Sequence, residues 1–432
     1  MVAFSLLAAL SVSASVATLV AAHPHPHPEG SRTRSAPLPD RWYHDEDHPV
    51  HALFHSQPTN GKRQSTPEVG SSAWTAQYPA SSPDVNDLPQ TWLDALNDAR
   101  DAGKIPALPP TTYNGVDAPH YPPGVDENRN NATICAASDR VCRIPQDVWD
   151  APDGYMGIGF DDGPTDASPK LYDFLEQQNL SSTHYMIGVY ILNNWKNFQL
   201  AYDVLEADIA VHTWTHPYMT TLTDEQVLGQ LGWTIQIIYD STDGKVPRFW
   251  RPPYGDIDTR VSAIAREVFG MTAVMWNQDT EDWSMASTPP GTTMDQIHTA
   301  MTRWLTGPKS PGLIILEHEL TNDTVQAFID AYPLIGQNGW NAISQVQLNS
   351  SWTTYQDGDE DDDAFNSFIA SSASSSSASE SASSASGSSA ASASASNNGL
   401  TAESNSSGST PSFVYPSLVS FGVLVGAILA LM

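Results

Sequence analysis

Two adjacent carboxylates, Asp161 and Asp162, close the apolar run Tyr155-Met156-Gly157-Ile158-Gly159-Phe160, and Gly163-Pro164 follow them. Further along, His212-Thr213-Trp214-Thr215-His216 follows a second such run, Ile209-Ala210-Val211. Imidazole and carboxylate together are what a catalytic divalent ion needs: three protein ligands and one open position for water. His212, His216 and one aspartate would suffice, leaving the other aspartate free for proton chemistry. Histidines four apart share a face if the chain turns helical after the strand. In a chain of 432 residues with 13 histidines, a lone His-x-x-x-His is weak evidence. Asp-Asp-Gly-Pro alone is equally an ordinary turn.

What gives the pair weight is the company it keeps. Arg248-Phe249-Trp250 leads into Arg251-Pro252-Pro253-Tyr254-Gly255, Ala273-Val274-Met275-Trp276-Asn277 into Asp279-Thr280-Glu281-Asp282-Trp283, and Leu313-Ile314-Ile315-Leu316 into Glu317-His318-Glu319. Each is a short buried-strand pattern ending in chemically able side chains. Segments of helical character lie between them, at 168–178, 224–239 and 258–269. Alternating strand and helix predicts an α/β fold with a parallel sheet, and in a β/α barrel the active site gathers at the carboxyl ends of the strands. Taken singly, Arg251 could be a surface pair, Trp283 core and His318 a buried histidine; together they converge.

These five ordered clusters resemble the motifs of carbohydrate esterase family 4, the polysaccharide deacetylase or NodB-homology family, and the terminal segments make the chain most similar to its secreted fungal chitin deacetylase members. The resemblance implies a distorted (β/α) barrel of the polysaccharide deacetylase type at 126–352, with disordered N- and C-terminal extensions. It implies one divalent metal ion, zinc or cobalt, held by Asp162, His212 and His216, which would supply Lewis-acid chemistry and make a water easier to deprotonate. Asp161 is implied as general base, with Arg251 as its tether, since a guanidinium ion pair aims a carboxylate. Tyr254 is implied as a backbone oxyanion donor, and His318, supported by Asp282, as the acid that protonates the leaving amine. Trp283 and Leu316 would form the pocket for the acetyl methyl. Two departures stand out: Glu319 replaces an aspartate common in relatives, and Glu317 occupies a position that is often small or apolar. The expected activity is hydrolysis of a linear amide, removing N-acetyl groups from chitin. Acetylxylan and peptidoglycan deacetylases would share the same apparatus, and a non-catalytic mannoprotein or adhesin could retain the barrel.

The chain ends predict where this would happen. Residues 1–22 read as a secretory signal, or a signal anchor. Residues 23–63 form a possible propeptide: they start with His23-Pro24-His25-Pro26-His27-Pro28, read as a disordered segment or a weak metal binder, and end at Lys62-Arg63, a processing site or simply an exposed dibasic pair. Residues 64–125 read as linker, over 64–80, and N-terminal extension, with a helical stripe at Trp92-Leu93, Leu96 and Ala99. At 353–408 come an acidic run, Asp359-Glu360-Asp361-Asp362-Asp363, and a stalk almost entirely of serine and alanine. The run is a solvated spacer, or an attractor for the cationic product. The apolar tail at 409–432 follows Asn405-Ser406-Ser407-Gly408, one of which would carry a GPI anchor after the tail is removed; a plain tail-anchoring helix is the alternative. Cys135 and Cys142, the only cysteines, predict one disulfide, and sequons predict glycans at Asn131, Asn179, Asn322, Asn349 and Asn405. A net charge of −30 argues against nucleic acid as a partner; a monomer at the membrane and cell wall, acting on N-acetylglucosamine polymer, is the expectation.

Overall fold

The computed structural model describes residues 49–54, 67–115, 118–125, 132–138, 142–242, 244–349 and 353–356. The expected signal, His-Pro segment, dibasic pair, acidic run, serine-rich stalk and anchor region, with Asn131 and Asn405, lie outside the described residues. Among the described residues eight strands, β1 (Tyr155–Gly163), β2 (Thr183–Met186), β3 (Asp208–Val211), β4 (Phe249–Trp250), β5 (Thr272–Ala273), β6 (Gln278–Asp279), β7 (Leu313–Leu316) and β8 (Asn341–Ser344), pair in parallel in the order β5-β4-β3-β2-β1-β7-β6, with β8 also on β1. β1 is the hinge of this curled sheet. It pairs with β8 along 155–158, with β7 at 156–157 and with β2 from 159 onward. Its residues from 156 to 163 are all buried, as a near-continuous apolar run predicts for a strand covered on both faces.

The helices are α1 (Pro49–Phe54), α2 (Ser72–Thr75), α3 (Gln90–Asp101), α4 (Ser168–Gln178), α5 (Gly188–Asn193), α6 (Trp195–Gln199), α7 (Asp224–Ser241), α8 (Thr259–Phe269), α9 (Met294–Leu305) and α10 (Asn322–Gln337). Their ends are written in the sequence. At α7 the Thr223 hydroxyl accepts from Gln226 N–H while the Gln226 side chain accepts from Thr223 N–H, and Asp224 and Glu225 complement the helix dipole. At α8 Asp258 accepts from Val261 N–H, and Gly270 closes the helix in the left-handed region. The three predicted helices thus form within two residues of their expected bounds.

Two expectations differ from the structure. The run 273–277 is not one strand: β5 ends at Ala273 on β4, with Val274 N–H still donating to the Trp250 carbonyl while Val148 pairs along the outer edge, its N–H donating to Ala273 and its carbonyl accepting from Met275 N–H, and the chain pairs again as β6, on β7. The stretch read as linker, from residue 67 on, is packed: Trp74 and Tyr78 are buried, and α1 and α3 bring Phe54 and Trp92 into the same core, where Trp92 lies 6.1 Å from Phe269 of α8. The aromatic spacing that could have signalled this, Trp74 and Tyr78, is a four-residue repeat too short to read as periodicity. The Cys135–Cys142 disulfide is formed, with Cα atoms 5.0 Å apart. Asn179, Asn322 and Asn349 are exposed.

Candidate active site and metal centre

The end of β1 and the segment after β7 continue the sheet pairing past the strands. Asp161 N–H donates to the Glu317 carbonyl and Glu319 N–H to the Asp161 carbonyl, which sets Asp161 and His318 in register. Asp162 then forms a bulge within β1, at a φ of 68°, before Gly163 resumes the pairing with β2. Five of the eight described non-glycine residues with positive φ belong to the motif clusters: Asp162, Thr213, His216, Tyr254 and Glu281. Such strain, about 1–3 kcal/mol each, persists only where surrounding structure over-determines it, and it concentrates at functional sites.

His212 and His216 converge, but not on a helix. The chain from 212 to 216 is a loop, folded by left-handed turns at Thr213 and His216. Gln230 of α7 braces it, accepting from Trp214 N–H and Thr215 N–H at 2.9 Å each and donating to the Thr215 hydroxyl at 2.8 Å. Trp214 is fully buried; its indole N–H donates to the Ser81 carbonyl and its ring stacks on Tyr78 at 6.2 Å. The N-terminal extension therefore holds the histidine loop from outside the sheet.

Asp162 Oδ1 lies 3.3 Å from His212 Nε2 and 3.2 Å from His216 Nε2. One oxygen and two ring nitrogens lie within 4.8 Å of one another, and that buried oxygen has no hydrogen-bond partner among the described residues. His212 Nδ1 lies 2.8 Å from the Arg251 carbonyl, which fixes the ring and leaves Nε2 as its ligand atom. Burial, with His212 and His318 nearby, pushes His216 down to about 4 despite Asp162 beside it, so its imidazole is neutral at neutral pH. Burial alone would raise Asp162, yet His216, His318 and His212 hold its carboxyl below the usual range. The donor set, the orphaned oxygen and the neutral ring all fit a divalent ion.

Beside this cluster Asp161 is buried, one oxygen 2.6 Å from Arg251 Nη1 and the other 3.7 Å from His212 Nε2. Arg251 is fully buried. Its remaining donors reach the carbonyls of Val274 and Met275 and the side chain of Gln345, and its plane lies 4.1 Å from the Tyr185 ring centre. His318 Nδ1 is 2.6 Å from Asp282 Oδ1, and Asp282 Oδ2 accepts from His318 N–H. Burial would lower this imidazole, but Asp282, with Asp162 and Asp161 beyond it, pushes it up to about 10. Leu316 is buried at the end of β7, while Tyr254 and Trp283 are about half exposed. All ten residues named from the motifs sit at the carboxyl ends of strands or in the loops that follow them.

Residues 150–274 match the family described as polysaccharide deacetylase. Chitin deacetylase 3 of Cryptococcus neoformans var. neoformans serotype D is 39% identical over 334 residues, 76% of this chain and 77% of that relative. The chain belongs to the polysaccharide deacetylase family. Chitin deacetylase 2 of Saccharomyces cerevisiae is 36% identical over 253 residues, 57% of this polysaccharide deacetylase and 77% of the yeast chain. A solved family 4 carbohydrate esterase from Streptomyces lividans, in complex with acetate, is 29% identical with a TM-score of 0.39, covering 48% of this chain and 97% of that one.

Three contributors escaped the sequence reading of this polysaccharide deacetylase. Gln345, just past β8, bonds Arg251 and accepts from the Tyr185 hydroxyl; the run Ala342-Ile343-Ser344-Gln345, one more strand with a polar ending, was its available signal. Gln230 carries none, being one glutamine on a long helix. His184 of β2 pairs with Glu319 at 2.8 Å, both fully buried. Glu319, the departure noted above, thus serves a buried pair behind the site, and Glu317 is buried with its carboxyl raised well above the ordinary range by desolvation and by Asp282.

Proposed function

We propose that this chain is a metal-dependent chitin deacetylase that hydrolyses the N-acetyl groups of N-acetylglucosamine residues to free amine and acetate. The observation that carries the reading is the in-register pairing of Asp161 and His318 beside the Asp162–His212–His216 cluster. One carboxylate tethered by Arg251 and one cationic imidazole tethered by Asp282 are the base and acid that amide hydrolysis requires. The chain's similarity to fungal proteins named chitin deacetylase supports chitin over other acetylated polymers.

Asp162, His212 and His216 would hold one ion, zinc or cobalt by their nitrogen and oxygen donors. When bound, that ion supplies Lewis acidity toward the acetamide oxygen and a more acidic water. Asp161 takes a proton from the attacking water as its oxygen bonds to the acetyl carbon. Tyr254 offers its backbone N–H to the developing oxyanion, and Trp283 and Leu316 enclose the acetyl methyl. His318 Nε2 gives its proton to the sugar nitrogen as the C–N bond breaks, so that acetate and the amine leave. Tethering by Asp282 Oδ1 on Nδ1 leaves Nε2 as the atom that serves the leaving group. We also read the protein as a monomer carried to a fungal wall by its signal and a GPI anchor. The relatives' fungal sources support the fungal wall as the setting.

The test is acetate release by the full chain from chitin oligomers, acetylated xylan and peptidoglycan, with chelator and with zinc or cobalt restored. Release from chitin, lost on chelation and reduced about 10²–10⁴-fold by Asp161→Asn, is the expected result. Release only from another polymer overturns the substrate, and release from none overturns the enzyme in favour of a wall-binding protein.

A further inference from the structure

Aromatic rings among the described residues are mostly core: Trp74, Trp92, Trp214, Trp250, Phe160 and Phe269 are all but inaccessible. One group is not. From the ligand His216 the ring of Tyr254 lies 4.6 Å away, Tyr218 stacks on Tyr254 at 4.1 Å and 17°, and Tyr113 lies on Tyr218 at 4.5 Å. Tyr254 is 50% exposed and Tyr113 38% exposed, so the row is open to solvent at both outer members. Isolated exposed aromatics are common, but a contiguous exposed group marks a binding surface.

The row is assembled from three distant parts of the chain. Tyr254 follows β4 and Tyr218 follows the histidine loop, whereas Tyr113 comes from the N-terminal extension. The extension is fastened for the purpose: Thr111 N–H donates to the Thr220 carbonyl, the Thr111 and Thr220 hydroxyls lie 2.7 Å apart, and Thr112 pairs with His120. Tyr113 is thus held by the hydrogen bonds of Thr111 and of the Thr112–His120 pair that brackets it, and its ring meets Tyr218 at a 36° tilt with part of its surface open.

We propose that Tyr113, Tyr218 and Tyr254 form a sugar-binding subsite that receives the residue of the polymer next to the one being deacetylated, so that the N-terminal extension sets the preference for longer chains. The hydrogen-bearing face of a β-linked N-acetylglucosamine ring is apolar and flat, and an open aromatic surface beside a polar reaction centre accepts it. The row starts at a metal ligand, which puts its inner end at the reacting sugar and its outer end where a neighbouring sugar lies. This inference rests on the chitin reading above.

The experiment compares Tyr113→Ala, Tyr113→Leu and Tyr113→Phe with the unaltered full chain on chitin oligomers of increasing length. Tyr113→Ala should raise KM on the longer oligomers about five- to tenfold, the worth of one aromatic contact, with kcat and the shortest accepted oligomer unchanged. Tyr113→Leu, which keeps apolar bulk without a flat ring, should behave the same, and Tyr113→Phe should match the unaltered chain. Calorimetric titration of the longest oligomer into the same variants on an Asp161→Asn background should show the same weakening without turnover. An equal loss at every length, or none at any length, overturns the subsite while leaving the chitin reading intact. An unaltered chain that releases no acetate from any chitin oligomer overturns both.

Discussion

Replacing Arg251 with methionine tests how the site is held. The guanidinium is fully buried and spends its donors on Asp161 Oδ1 at 2.6 Å, the Val274 carbonyl at 2.7 Å, the Met275 carbonyl at 3.3 Å and Gln345. Methionine keeps the stem's volume and loses every one of these bonds. Removing one member of a buried ion pair costs about 3–5 kcal/mol, because the remaining charge stays desolvated. The orphaned Val274 carbonyl adds about 1 kcal/mol. Gln345 softens the loss, since its side chain still receives the Tyr185 hydroxyl. The expected destabilisation is therefore about 4–5 kcal/mol, or a fall of roughly 10 °C or more in Tm for a domain of this size. The assay is urea unfolding of the metal-free full chain at neutral pH, followed by tryptophan fluorescence, for Arg251→Met, Asp161→Asn and the double variant. With both charges gone, the double variant should recover about 2 kcal/mol relative to the sum of the singles. A cost below about 1 kcal/mol for Arg251→Met, or additivity within about 0.5 kcal/mol, would refute the view that this pair is a buried, mutually dependent fastener.

Three further outcomes follow from the geometry. Asp282→Asn should bring His318 down from about 10, since burial then acts without the opposing carboxylate; an NMR pH titration of the imidazole reads the shift directly. Because the folded value is raised, the stability this pair contributes is fully present below the unfolded histidine value near 6.5 and is lost as pH rises through about 10. The unfolding free-energy gap between the unaltered chain and Asp282→Asn should therefore be widest below about pH 6.5 and close toward pH 10; a gap that widens on the alkaline side would contradict it. Gly163→Ala drives a Cβ into Glu319 Oε1, which His184 pins in place, so it should cost about 1–3 kcal/mol in chemical denaturation. Tyr78→Ala should cost about 3 kcal/mol and, by loosening Trp214, lower the zinc retained per chain after dialysis; unchanged retention would mean that the extension does not support the histidine loop.

The site's chemistry was legible because it is written in local strings. A buried strand in a parallel sheet is a short apolar run, and its polar ending falls at the carboxyl edge, so Asp161, His212, Arg251 and His318 could be placed at one end of the sheet without knowing their distances. Helix bounds were legible for a similar reason: Thr223, Asp258 and Gly270 act on backbone groups within a few residues. What could not be read was anything that depends on approach between distant segments. The 273–277 run looks like one strand, yet it is shared between two partners, β4 and Val148 at its start and β7 at its end, and both lie far away in the chain. The His212–His216 spacing suggests a helix, yet left-handed turns at Thr213 and His216, braced by Gln230, bring the rings together.

The sequence by itself therefore determined which side chains this polysaccharide deacetylase brings to its site and at which end of the sheet. Periodicity, capping and turn chemistry are local, and they act wherever the chain is read. The tertiary structure alone decided which oxygen of Asp161 meets Arg251, that Gln345 and Gln230 brace the site, that His184 answers Glu319, and that Tyr113 joins the ring of a residue far along the chain. Those outcomes depend on packing and desolvation among parts of the molecule that meet only when the core closes, and no window of sequence contains them.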